Sequence, residues 1–151
     1  MLTHQMRLRV NVDGHRFISQ AIQNGANCIV CEKTPDNKTD GVVYVNVKSS
    51  RKALAIISSN YFDNPSSKLN LIGVTGTNGK TTIATLLFEL YTKLEIKSGL
   101  ISTVKISYDN KNFQANQTTP DSLSINRFLS EMVNSNVRYC FMEVSSHGID
   151  Q

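Results

Sequence analysis

At 151 residues the chain has room for one ordinary domain or two small ones, and its 40% hydrophobic and 19% charged residues, with eight Gly and three Pro, exclude a disordered or fibrous protein. The net charge of +4 comes from Lys and Arg scattered among 12 acidic residues, without the basic block or aromatic-interleaved stripe of a nucleic-acid binder; a phosphorylated small molecule suits it as a partner. No segment approaches the ~20 apolar residues of a membrane span and the N-terminus has no basic-then-apolar leader, so no membrane partner and a cytoplasmic location are expected.

In chain order, the spacing of Phe17, Ile18, Ala21 and Ile22 predicts a helix of about two turns, ended by Gly25 as a left-handed cap. Residues 28–31 and 42–47 are two β-prone runs separated by a polar stretch, and they read as neighbouring strands joined by a surface loop. Cys28 and Cys31 form a C-x-x-C without a second ligand pair, and residues three apart in a strand point to opposite faces, so these and Cys140 are expected to be small buried hydrophobes. Ser49 or Ser50 can cap a second helix with Leu54, Ile57 and Tyr61 on one face. The turn-like residues 63–67 then mark a domain boundary, giving segments 1–67 and 68–151.

Residues 69–75 read as a buried strand, residues 76–79 as a tight loop, and the following residues as a helix with Ile83, Leu86, Leu87, Leu90 and Leu94 on one face. Residues 98–104 form the next strand. Residues 105–114 suggest a hairpin turning at Asp109 and Asn110, a departure from a plain βαβ repeat. Pro120, Asp121 and Ser122 open a helix with Ile125, Phe128, Leu129, Met132 and Val133 inward, and residues 138–144 are a further strand delivering Ser145 at its end. Alternating strands and helices predict an α/β fold with a mostly parallel sheet, whose ligands gather at the carboxyl ends of the strands.

The strongest chemical signal is Gly76-Thr77-Asn78-Gly79-Lys80-Thr81-Thr82, between a predicted strand and a predicted helix. Glycines let the backbone approach a phosphate, and successive N–H groups beside the positive helix end can point at its oxygens. Lys80 supplies charge to the terminal phosphates, and the Thr81 hydroxyl lies where a bridging magnesium needs an oxygen ligand. The usual first Gly of such loops falls on Val74, while an extra Gly stands at position 76. Glu143, near the end of an apolar strand, needs a partner because burying a bare carboxylate is costly. Either a magnesium ion shared with Thr81 or a structural salt bridge supplies one.

This loop resembles that of the Mur ligase family and its folylpolyglutamate synthase relatives. Thr118-Thr119-Pro120-Asp121, the run 142–148 and Asp13-Gly14-His15-x-Phe17 are similar to segments of the Mur ligases that act on UDP-N-acetylmuramoyl-dipeptide. The resemblance extends from Asp13 to Gln151. Folylpolyglutamate synthases carry Lys-Gly-Ser where this chain has Lys80-Thr81-Thr82, which counts against them.

The resemblance implies a partial N-terminal UDP-sugar-binding domain over 1–67 and a partial central ATP-binding domain over 68–151. It implies ATP and magnesium as cofactors, Lys80 and Glu143 as catalytic, residues 76–82 as the ATP grip, and Thr81 with Glu143 as magnesium ligands. Thr118, Thr119, Ser145 and Gln151 would bind the sugar nucleotide, although from the residues alone each is more readily a cap or turn residue. His147 reads as structural. The reaction implied is activation of a substrate carboxylate as an acyl phosphate and its capture by an amino acid, meso-diaminopimelate more than L-lysine, in peptidoglycan synthesis by a monomeric enzyme. The isolated chain is expected to show no ligase turnover. A non-catalytic nucleotide-binding protein derived from such a ligase is the alternative; a P-loop kinase would need a lid, and no segment resembles one.

Overall fold

The computed structural model describes residues 13–114 and 120–145, which fall into two compact units, one ending at Ala53 and the other beginning at Leu54. In the first unit the expected helix starts as a 3-10 turn over Gly14–Phe17, capped by Asp13, whose carboxylate accepts from the His15 backbone N–H at 3.0 Å. It continues as α1 (Ile18–Gln23), and Gly25 at φ +93° closes it. Strands β1 (Cys28–Cys31) and β2 (Val43–Asn46) do pair, in parallel, with Cys28 opposite Val43. Alternation buries Ile29 and Cys31 and leaves Cys28 exposed, which corrects its expected burial. Helix α2 (Ser50–Tyr61) crosses from one unit to the other; the Ser49 hydroxyl accepts from the Lys52 N–H at 3.3 Å, as a cap should. Its buried line runs through Leu54 and Ser58, so Ile57 and Tyr61 are exposed rather than inward.

The second unit is built on β3 (Asn70–Val74), α3 (Lys80–Lys93), β4 (Ser98–Ile101), β5 (Lys105–Tyr108), β6 (Lys111–Gln114), α4 (Ser122–Asn134) and β7 (Tyr139–Glu143). The strands form one sheet in the order β3-β7-β4-β5-β6. The first three run parallel; β5 and β6 are added antiparallel. The hairpin turns at Asp109 and Asn110, both with positive φ, the type I′ geometry that matches strand twist. Asp121 caps α4 by accepting from the Ser124 N–H at 2.7 Å.

Successive residues of the central strands point to opposite faces, and each face carries a helix. On one, Val74, Leu100 and Phe141 pack with Ala84, Leu87, Phe88 and Tyr91 of α3, the Tyr91 ring lying 4.9 Å from Tyr139 and 5.0 Å from Phe141. On the other, Ile101, Ile106, Tyr108 and Cys140 pack with Phe128, Leu129 and Met132 of α4. A Cβ on Gly99 would lie 2.6 Å from the Met132 sulfur, so the bare glycine is what lets α4 approach β4 so closely.

Two expectations fail here. Of the helical stripe predicted to face inward, Ile83, Leu86, Leu90 and Leu94 are exposed and only Leu87 packs on the sheet. Strand β3 is largely exposed as well, only Val74 being buried, because it is paired on one side alone among the described residues.

Candidate functional site

The parallel strands bring two carboxyl ends together. Val74 pairs with Glu143, and the Val144 N–H donates to the Val74 carbonyl at 2.9 Å, so the residues that follow β3 and those that end β7 emerge side by side. After β3 the chain turns through Gly76 at φ +147° and Gly79 at φ +77° into α3. A side chain at Gly79 would be strained in that left-handed conformation, which aims the first turn of α3 back over the sheet. Lys80 opens the helix, and its ammonium is folded over the loop, donating to the Gly76 carbonyl at 2.8 Å and the Thr77 carbonyl at 3.3 Å. Thr77, Asn78 and Gly79 form the exposed outer rim, and Thr82 faces solvent one residue beyond Thr81.

Thr81 points inward. Its hydroxyl donates to Glu143 Oε2 at 2.8 Å, the contact that joins the loop to the end of β7. Glu143 is nearly buried, yet the same oxygen also accepts from the backbone N–H of Thr103 at 3.2 Å and from the Thr103 hydroxyl at 3.1 Å. These three donors, none of them a cation, answer how the carboxylate is tolerated inside the protein. No group of three or more His, Cys, Asp or Glu suited to a metal occurs among the described residues. The pair Thr81 and Glu143 nonetheless fits magnesium: both offer hard oxygen, both lie beside a phosphate-type loop, and a protein holds this ion with one or two such ligands, the rest being phosphate and water.

Thr103 had no signal in the sequence. It fell inside the strand read over 98–104, but β4 stops at Ile101 and residues 102–104 form a turn. Ser102 fixes that turn: its hydroxyl donates to the Lys105 carbonyl at 2.9 Å and accepts from the N–H groups of Lys105 and Val104 at 3.1 and 3.3 Å. Ser145 lies two residues past the end of β7, half-buried at the same carboxyl edge of the sheet. Thr118, Thr119, His147 and Gln151 lie outside the described residues.

A separate cavity of about 430 Å³ lies in the first unit, lined by Asp13, His15, Lys33, Asp36 and Tyr44 among others. His15 Nδ1 lies 2.6 Å from Asp13 Oδ1, and its Nε2 accepts the Lys33 N–H at 3.1 Å. The His15 ring thus bridges the Asp13 carboxylate and the Lys33 backbone. The hydrogen bond from the His15 side chain, followed by that from its backbone N–H, holds the Asp13 carboxyl below its usual range.

Residues 74–151 match the Mur ligase middle domain, and residues 10–62 match the Mur ligase family catalytic domain. The chain is 51% identical, over 94% of its length, to a UDP-N-acetylmuramoyl-L-alanyl-D-glutamate--2,6-diaminopimelate ligase of Cytophaga hutchinsonii, and 47% identical over 92% to that of Bacteroides thetaiotaomicron. It spans 29% of the length of each. Among solved structures, a ligase of that same name superposes with a TM-score of 0.72 at 24% identity, covering 89% of this chain and 27% of the other. The MurF ligase of Thermotoga maritima in complex with ADP superposes at 0.52 and 24% identity, covering 92% and 28%. At those identities the structures speak for the fold.

Proposed function

This chain belongs to the Mur ligase family, and we propose that it forms the nucleotide-binding front of a ligase that joins meso-diaminopimelate to UDP-N-acetylmuramoyl-L-alanyl-D-glutamate at the expense of ATP. The observation that carries the reading is the hydrogen bond from Thr81, in the first turn after the phosphate loop, to the nearly buried Glu143 at the end of the neighbouring strand. A loop that merely turned the chain would have no use for a carboxylate held behind it. The same feature weighs against a non-catalytic descendant, and the identity to ligases that use diaminopimelate favours that amino acid over L-lysine.

In this reading segment 1–67 serves the UDP-sugar and segment 68–151 the nucleotide. Residues 76–82 grip the ATP phosphates, the N–H groups of the loop and first helical turn facing their oxygens. Lys80 already hovers over the loop on two carbonyls, so it needs only to exchange them for phosphate oxygens to offset the charge that develops in transfer. Magnesium, when bound, would neutralise phosphate charge, with Thr81 and Glu143 as its protein ligands. Thr81 can serve because its proton is committed to Glu143, leaving the lone pairs of its oxygen free to face the loop. Ser145, at the carboxyl edge of the sheet, would meet the sugar nucleotide, and Thr118, Thr119 and Gln151 are assigned the same partner. The chemistry left to the protein is positioning: the substrate carboxylate attacks the terminal phosphate and ADP leaves, then the amine of the amino acid attacks the resulting acyl phosphate, giving the amide with loss of inorganic phosphate and a proton. ATP and a UDP-sugar are cytoplasmic metabolites, so a cytoplasmic enzyme fits, and it is proposed to act as a monomer. No helix among the described residues is long and apolar enough to cross a membrane.

Calorimetric titration of the purified chain with UDP-N-acetylmuramoyl-L-alanyl-D-glutamate tests the substrate half of the proposal. Binding that weakens roughly tenfold or more in Ser145→Ala, with UDP-N-acetylmuramate bound less tightly than the dipeptide form, is the expected result. Equal binding of both sugars, unaffected by the substitution, would remove the substrate assignment.

A further inference from the structure

We infer that Thr103 is a positioning residue: it fixes one oxygen of Glu143 so that the other oxygen is the one presented to the metal of a bound magnesium nucleotide. The inference rests on reading the loop as the site of such a nucleotide.

A carboxylate oxygen has two lone-pair directions, and Oε2 of Glu143 already takes three donors. They are the Thr81 hydroxyl at 2.8 Å, the Thr103 hydroxyl at 3.1 Å and the Thr103 N–H at 3.2 Å. A cation seeking that oxygen would have to displace at least one of them. Two belong to the same residue, and one is a backbone N–H that cannot rotate away. Direct or water-bridged contact with a metal therefore falls to Oε1. Thr103 acts through Glu143, and nothing in its own placement requires it to touch nucleotide.

What makes this a built feature is the turn that carries it. Strand β4 does not leave the sheet into a helix as a plain βαβ repeat would; it reverses into the antiparallel β5 through residues 102–104. The reversal keeps the chain at the carboxyl edge, beside β7, with which β4 pairs. Ser102, 2% exposed, then locks the turn with three hydrogen bonds, so the Thr103 N–H is aimed at Glu143 by a rigid frame. Partners of metal ligands held in this way commonly govern metal affinity ~10–100-fold.

The test compares the purified chain with Thr103→Val, which keeps shape and N–H but removes the hydroxyl, and Thr103→Ser, which restores a hydroxyl. ATP affinity is measured by calorimetry in EDTA and across a magnesium series, with thermal unfolding of the nucleotide-free proteins alongside. The expected result is that Thr103→Val raises the magnesium concentration needed for half-maximal ATP binding about tenfold or more, leaves affinity in EDTA within about twofold, and is rescued by Thr103→Ser. A Thr103→Val variant that shifts binding equally in EDTA and magnesium, shifts neither, or only lowers the unfolding temperature overturns the positioning role. Should the parent chain bind ATP without any magnesium dependence, the nucleotide-site reading itself fails and takes this inference with it.

Discussion

Glu143 shows what a residue alone can and cannot disclose. An acidic side chain ending an apolar strand signals that something must balance it, and the partner Thr81 was legible because both positions belong to recognisable motifs. Thr103 was not, since its role depends on where a strand stops: had β4 run on through residue 104 as expected, alternation would have put Thr103 on the face of Gly99 and Ile101, which packs against α4. The cysteines divide in the same way. Sequence placed all three in apolar runs, but strand alternation exposes Cys28 while Cys31 and Cys140 are buried. Burial pushes the Cys140 thiol from 9.0 up to about 12. A group whose folded pKa is raised keeps its full contribution below the unfolded pKa, so stability is intact below pH ~9 and declines between there and about 12. With a thiol reagent at pH 8, Cys28 should react rapidly and Cys31 and Cys140 only as fast as the chain unfolds. Equal rates at all three would refute this account of both units.

Among the elements, α3 carries the most instructive error. It holds two apolar stripes, and periodicity alone cannot choose between them. The site chooses. Thr81 must face Glu143, and residues three, seven and ten positions on, Ala84, Phe88 and Tyr91, share its side of the helix and so pack on the sheet. The other stripe, Ile83, Leu86, Leu90 and Leu94, is thereby turned outward. The Thr81–Glu143 contact at the first turn goes with the packing along the whole helix. The double substitution Leu86→Glu with Leu90→Lys should therefore leave stability within about 0.5 kcal/mol, as at surface positions. Tyr91→Ala, which removes two ring contacts, should cost about 3 kcal/mol. Denaturant unfolding of the two variants decides it, and a larger loss from the double substitution would mean the helix is rotated from the orientation described. By contrast the hairpin was readable to the residue, because Asp and Asn tolerate the two positive φ angles that a two-residue turn demands.

At the scale of the whole molecule, the phosphate loop, Thr81, Thr103 and Glu143 all belong to the unit that begins at Leu54. Strand order explains why they meet: β7, last in sequence, inserts between β3 and β4, so residues far apart in the chain end on one edge. Alternation of strands and helices announced an α/β sheet, but nothing in a single sequence announces insertion order, and the site's third member followed from it. The chain covers under a third of the relatives it matches, and the proposed nucleotide grip lies within residues 76–143 of it. Titration with ATP, with and without magnesium, of the folded chain and of Lys80→Ala and Glu143→Ala tests this most directly. The account predicts magnesium-enhanced binding by the parent, weakened in Lys80→Ala under both conditions and stripped in Glu143→Ala of the magnesium enhancement alone, by ~10-fold or more. A folded parent chain that binds no ATP, or a Glu143→Ala variant that keeps the full magnesium effect, would contradict it.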